Sequence, residues 1–244
     1  MIWKLAHDVG PLEKGDQLKK NGPTEILSAD PPCIGYIMDR SFWFYYPENL
    51  DQLKRLGAVL VEVNSLTQKE LPELDALYIG GGFPETQAEA LAGNQSFRDS
   101  LKQKIEAGLP VYAECGGLMY LGESLIVDET SYPMVGVLPI EFALEKKPQG
   151  HGYTILEVTL QNPYYQVGET LKGHEFHYSR PLFKGAKEIE CVFRVQRGRG
   201  LDGKRDGLCK KNLLATYMHL HAAGNPIWGK SFFKTALYSK NFNK

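Results

Sequence analysis

The alternation of apolar and polar positions sets in late along this chain. Residues 1–32 are polar and broken by "GPLEKGDQLKKNGP" and "ADPP", a texture that predicts a linker or the remnant of an upstream domain. From Cys33 the pattern tightens. "CIGYIMD" is a short, nearly continuous apolar run and predicts a buried strand, followed by the aromatic loop "RSFWFYY". Pro47 then opens "PENLDQLKRLG", where Leu50, Leu53 and Leu56 recur at near-helical spacing and Gly57 closes the helix. "AVLVEVN", "ALYIGGG" and "PVYAEC" predict three more strands. Between the last two, "PETQAEALAG" and "NQSFRDSLKQKIEAGLP" predict two helices, each stopped by glycine. Strands alternating with helices over Cys33–Leu125 make β-α-β units, hence a parallel sheet covered on both faces.

Beyond Leu125 the period shortens. "MVGVLPIEFAL", "GYTILEVTL", "KGHEFHYSR", "IECVFRVQRG" and "NLLATYMHL" read as strands, mostly divided by turn residues, and predict an antiparallel extension of the sheet. A final helix is expected in "NPIWGKSFFKTALYSK", with Asn225 as its N-cap and Pro226 in its first position.

Composition narrows the class rather than the fold. With 43% hydrophobic and 23% charged residues over 244 positions, the chain has the make-up of an ordinary soluble globule. A net charge of −1 gives no global electrostatic reason to expect nucleic acid or an anionic membrane as a partner. No apolar run is long enough to span a bilayer. Cys33, Cys115, Cys191 and Cys209 are widely spaced and form no C-x-x-C pair, which argues against a zinc knuckle and a disulfide framework. The expected compartment is the reducing cytoplasm.

One corner carries chemistry. In "LPVYAECGGLMYLGESL" an apolar strand ends at Cys115, and a helix-like segment begins after two glycines. Ligands of open parallel sheets sit beyond the carboxyl ends of the strands. A nucleophile there occupies a strained turn that demands small residues two before and two after, which here are Ala113 and Gly117. The following helix aims amide dipoles at the sulfur and favours thiolate. The Gly116 amide is placed to donate to an oxyanion, and Gly80, Gly81 and Gly82, ending the neighbouring strand, offer a second donor. A thiolate nucleophile needs a group that returns the proton to the leaving atom, and histidine suits that task. Of six histidines, His219 and His221 in "ATYMHLH" follow a strand at the same sheet edge and come after the nucleophile, as α/β order requires.

These residues resemble a known family. "RSFWFYYPENL", "ALYIGGGFPE", "YAECGGLMYLGESL", "KGHEFHYSR" and "LLATYMHLH" are similar, in order, to the cobyrinate-type class I glutamine amidotransferase domain of cobyrinic acid a,c-diamide synthases, from about Cys33 to the end. The resemblance implies an α/β, flavodoxin-like fold: a mostly parallel sheet with helices on both faces and a C-terminal antiparallel extension, the amidotransferase domain covering 33–244. It implies glutamine as substrate, Cys115 as nucleophile, His219 as catalytic histidine, and Gly80–Gly82 with Gly116 as oxyanion hole or glutamine contacts. Most class I members place an orienting glutamate two residues after the histidine; His221 stands there instead. The family's ATP- and magnesium-using synthetase domain has no counterpart in these residues, so no cofactor is expected in this domain. The partners expected are that synthetase, as domain or subunit, and a tetrapyrrole acceptor bound mainly by it.

Other signals carry less. "GNPIWGKS" satisfies the P-loop pattern, but Pro226 supplies no amide donor and Trp228 crowds the loop. The histidines of "HEFH", His174 and His177, would face opposite sides of a strand and make a poor chelate, so no metal is expected. Glu175 and Tyr178 on that strand either touch glutamine or hold the sheet edge. "SFWFYYPEN" either meets a partner domain or fills the core. "FRVQRGRGLDGKRDGLCKKN" fits a solvated hairpin better than a site for a carboxylate-rich tetrapyrrole. Three other functions share the pattern: an amidotransferase subunit serving another acceptor such as a cell-wall lipid precursor, a silent docking module, and a cysteine hydrolase of other amides or esters.

Overall fold

The computed structural model describes residues 30–183 and 190–242, so most of the expected linker at 1–32 lies outside the described residues. A ten-stranded mixed sheet organises the chain. Its strands in chain order are β1 (Cys33–Ile37), β2 (Val59–Val63), β3 (Ala76–Ile79), β4 (Val111–Glu114) and β5 (Gly150–Val158). They continue with β6 (Thr170–His177), β7 (Glu190–Arg197), β8 (Arg205–Lys210), β9 (Leu213–Thr216) and β10 (His219–Leu220). The spatial order is β10-β6-β5-β7-β8-β9-β4-β3-β1-β2. The five strands from β9 to β2 pair in parallel and the other pairings are antiparallel. This is the flavodoxin-like plan with an antiparallel arm.

Side-chain alternation sends each parallel strand's residues to two separate cores. Leu77, Ile79, Val111 and Ala113 meet the helices Ala88–Gly93, Gln95–Glu106 and Gly116–Leu121. Ala76, Tyr78 and Tyr112 meet the helices Pro47–Arg55 and Ile227–Phe242 through Leu53, Trp228 and Phe232. The period of two on the strands and the apolar stripes of the helices are thus satisfied together.

Three expectations need correction. "MVGVLPIEFAL" is not one strand: only Glu141–Leu144 pairs, and it joins a separate four-stranded sheet with Ser124–Val127, Thr130–Pro133 and Ser179–Leu182. Gly136 at φ 67° turns the chain before it. "NLLATYMHL" splits into β9 and β10. The amide of Tyr217 goes to the Asp206 carboxylate at 3.3 Å and that of Met218 to Thr216 Oγ1 at 3.1 Å, so neither serves a strand ladder. Asn225 does not cap the last helix with its side chain. It clasps the backbone of Lys172, Oδ1 accepting at 3.1 Å and Nδ2 donating at 2.7 Å, and the helix starts at Ile227.

Candidate active site

Cys115 occupies the turn the sequence demanded, at φ 48° and ψ −99°. A left-handed φ is costly for a side-chain-bearing residue and persists only where its surroundings hold it. The grip here is two-sided. The Cys115 N–H donates to Thr216 O at 2.8 Å, and its carbonyl accepts from Met119 at 3.0 Å. The requirement for glycine two residues on is steric: a Cβ on Gly117 would stand 2.6 Å from Ile79 O.

His219 reaches Cys115 because β9 runs parallel to β4, pairing Thr216 with Glu114, and the chain turns straight into β10. The two side chains interact electrostatically and line one cavity of about 210 Å³ together with Gly82, Phe83, His174 and Phe176, and the Cys115 Sγ donates to Phe176 O at 3.7 Å. That is below the roughly 300–1,000 Å³ typical of drug-sized ligands. Burial disfavours a charged His219, but the Cys115 sulfur and then Glu114 outweigh it and carry the imidazole up to about 10. The charged form of the ring is thus favoured beside an ionised sulfur. His174 stacks on the His219 ring, ring centres 5.0 Å apart, and is driven the other way, down to about 4, by burial and by the His219 charge. Tyr46 Oη lies 3.0 Å from His174 Nδ1. Phe44 stands edge-on to His219 at 4.8 Å.

The glycine-rich end of β3 divides its tasks. The Gly80 N–H donates to the Tyr45 hydroxyl at 2.9 Å, which removes it from the expected oxyanion donors. Gly81 leaves room for the imidazole, since a Cβ there would collide with His219 Cε1. Gly82 and Gly116 do come together: a Cβ on Gly116 would lie 3.2 Å from Gly82 N, so the two backbones pack against each other beside Cys115. The expected aromatic loop is in part a short strand, Phe42–Phe44, paired antiparallel with Gly81–Gly82; Phe42 is fully buried while Trp43 is 51% exposed, so the segment both fills the core and reaches the surface.

Glu175 lines the larger cavity that adjoins the Cys115 site, beside His174 and His219, and also has a structural task. Its carboxylate is buried and accepts the backbone N–H groups of Arg199 and, at 2.9 Å, Gly200; it holds the sheet edge. Tyr178 packs edge-on against Phe176 and does not line the Cys115 cavity. His221 lines an adjoining larger cavity, its Nε2 3.5 Å from Glu48 and its Nδ1 accepting from Ala223. The histidines of "HEFH" do face opposite ways, His174 to the site and His177 onto the Tyr217 ring at 3.6 Å. The basic stretch forms the hairpin β7–β8, with Arg205 paired to Asp202. In "GNPIWGKS", Trp228 is buried and Gly229 packs against Gln52.

Sequence reasoning missed two residues here, His174 and Glu114. Glu114 precedes the nucleophile, and its Oε2 lies 3.5 Å from His219 Nδ1. Nothing in the local pattern marks it, because the contact depends on where β10 returns.

Fold comparison finds the same architecture in solved structures. A crystal structure of a glutamine amidotransferase superposes over 83% of this chain and 98% of its own, with TM-score 0.60 and 23% identity. The PurLQS structure from Thermotoga maritima covers 88% of this chain with TM-score 0.58 at 16% identity. Sequence comparison is narrower. Residues 33–227 match the CobB/CobQ-like glutamine amidotransferase domain, and the chain belongs to that family. A cobyrinate a,c-diamide synthase of Archaeoglobus fulgidus is 46% identical over 98% of this chain and 51% of its own length. That of Magnetococcus marinus is 40% identical over 92% of this chain and 48% of its own. The chain thus spans about half the length of these curated relatives.

Proposed function

We propose that this chain is a glutaminase that releases ammonia for the ATP-dependent amidation of the a and c acetate carboxylates of cobyrinic acid or a related tetrapyrrole, in cobalamin biosynthesis. One observation carries the chemical part: Cys115, held at φ 48°, and His219, arriving on a different strand, line one cavity. The Cys115 sulfur attacks the side-chain carbonyl carbon of glutamine. The oxyanion forms between the Gly82 and Gly116 amides. His219 passes its proton to the nitrogen, the C–N bond breaks, ammonia leaves, and a γ-glutamyl thioester remains. Water then attacks the thioester with His219 as base, releasing glutamate and restoring the thiol.

The relatives' names support the acceptor class, and their extra length supports a synthetase region that supplies the ATP and Mg²⁺ chemistry outside these residues. Ammonia released into water becomes ammonium, so the mouth of the cavity must be covered during transfer. Trp43, Phe83 and Phe176, each more than one-third exposed around that mouth, suit the contact with the synthetase. Incubation with glutamine tests the reading. Glutamate release should fall at least about 10³-fold in Cys115→Ala. A glutamine-mimicking electrophile should label Cys115, with glutamine protecting it. No turnover with the synthetase region present would overturn the proposal, and turnover unchanged by the substitution would remove Cys115 as nucleophile.

A further inference from the structure

The position that usually orients the histidine of a class I site holds His221, whose nitrogens face Glu48 and Ala223 rather than His219. His219 Nδ1 is nevertheless buried and lacks a well-formed hydrogen bond among the described residues. A catalytic imidazole with a free inner nitrogen has neither a fixed tautomer nor a fixed ring angle. We propose that Glu114, the residue preceding the nucleophile, is the positioning carboxylate of this site, holding the proton on His219 Nδ1 and fixing the ring plane. The inference rests on the glutaminase reading and adds the group that completes its Cys–His pair.

The geometry supports this in three ways. Glu114 Oε2 stands 3.5 Å from Nδ1, with both side chains nearly sealed from solvent at 2% and 6% exposure. Catalytic hydrogen bonds in unliganded sites are often long and tighten when substrate arrives. The other oxygen, Oε1, accepts the Leu220 N–H at 3.3 Å, so one carboxylate holds both the ring and the strand that carries it. The tyrosines around Glu114 also add no second negative charge that would compete with it for the imidazolium. Tyr45, Tyr46, Tyr78 and Tyr112 have hydroxyls held above their ordinary range, by burial first and by the negative charge of Glu114 among the further causes. They stay neutral, and Asn49 Nδ2 fixes the Tyr78 hydroxyl at 3.2 Å. Since strand residues alternate, Glu114 leaves β4 on the Tyr112 side, and only the sharp turn at Cys115 lets sulfur and carboxylate address one imidazole.

Steady-state glutaminase kinetics of Glu114→Gln, Glu114→Asp and Glu48→Gln test the assignment, with ¹⁵N NMR of the His219 ring. In Glu114→Gln we expect kcat to fall about 10²–10⁴-fold with KM changed less than about 3-fold, because a neutral amide cannot hold the imidazolium. Its alkaline pH limb should move down by about one unit or more. Glu114→Asp should recover part of the loss, and Glu48→Gln should match the wild type. The NMR spectrum should show Nδ1 protonated in the wild type at pH 7. A Glu114→Gln enzyme with kcat within about 3-fold of wild type and an unmoved pH limb would overturn the proposal. So would an unprotonated Nδ1 in the wild type, which decides the matter if Glu114→Gln does not fold. A wild type without glutamine turnover would sink the glutaminase reading alone, leaving the NMR result to judge Glu114.

Discussion

Glycine 81 shows how little slack surrounds the catalytic pair. Its missing side chain is the space that His219 Cε1 fills, so an added methyl must displace the ring or the end of β3. Displacements of about 1 Å near the reacting atoms cost on the order of 10²-fold in rate. Gly81→Ala should therefore lower kcat of glutamine hydrolysis by about that factor while the far-ultraviolet circular dichroism stays that of the parent. The nucleophile was legible at this scale because its constraint is local: Ala113, Cys115 and Gly117 are fixed by one tight turn and can be read from five consecutive letters. Glu114 was hidden in the same stretch. Its role arises from a strand formed more than a hundred residues later, a relation no local period encodes.

At the scale of elements, the helix Pro47–Arg55 sets the position of the catalytic loop. Asn49, fully buried, donates to Leu220 O at 2.8 Å and accepts from the Ala222 N–H at 2.7 Å, so it spans the segment just after His219. Replacing it with alanine strands these groups without water. Asn49→Ala should cost about 2–3 kcal/mol in urea unfolding and lower kcat as well, because β10 loses its tether. The parallel half of the sheet was readable from strand–helix alternation. The antiparallel half was read as strands but not as partners. Whether Glu141–Leu144 extends the main sheet or founds another depends on pairing at long range, and the break between β9 and β10 depends on Asp206, a buried acid ten residues before it.

Across the whole molecule, that acid couples stability to pH. Burial pushes the Asp206 carboxyl up to about 6, against hydrogen bonds from Gly207, Thr216 and Tyr217 that pull it down. The folded state then binds the proton more tightly than the unfolded chain, whose aspartate titrates near about 3.9. The stabilisation is complete below that value and is lost as pH rises through about 6. Thermal unfolding followed from pH 4 to pH 7 should show the parent losing on the order of 2 kcal/mol more than Asp206→Asn does. Equal losses in the two proteins would remove Asp206 as the source.

The outermost position of β10 bears on how such a molecule ages. The imidazole rides on a strand two residues long, fastened to its neighbour by the pairs Gly173–Leu220 and His174–His219, with side chains of Glu114 and Asn49 rather than another strand holding Leu220. Peripheral segments of this kind open at lower free energy than the interior. Warming would thus silence the chemistry while the bulk of the architecture still stands, and the enzyme's working lifetime would be set by its fringe rather than by its core.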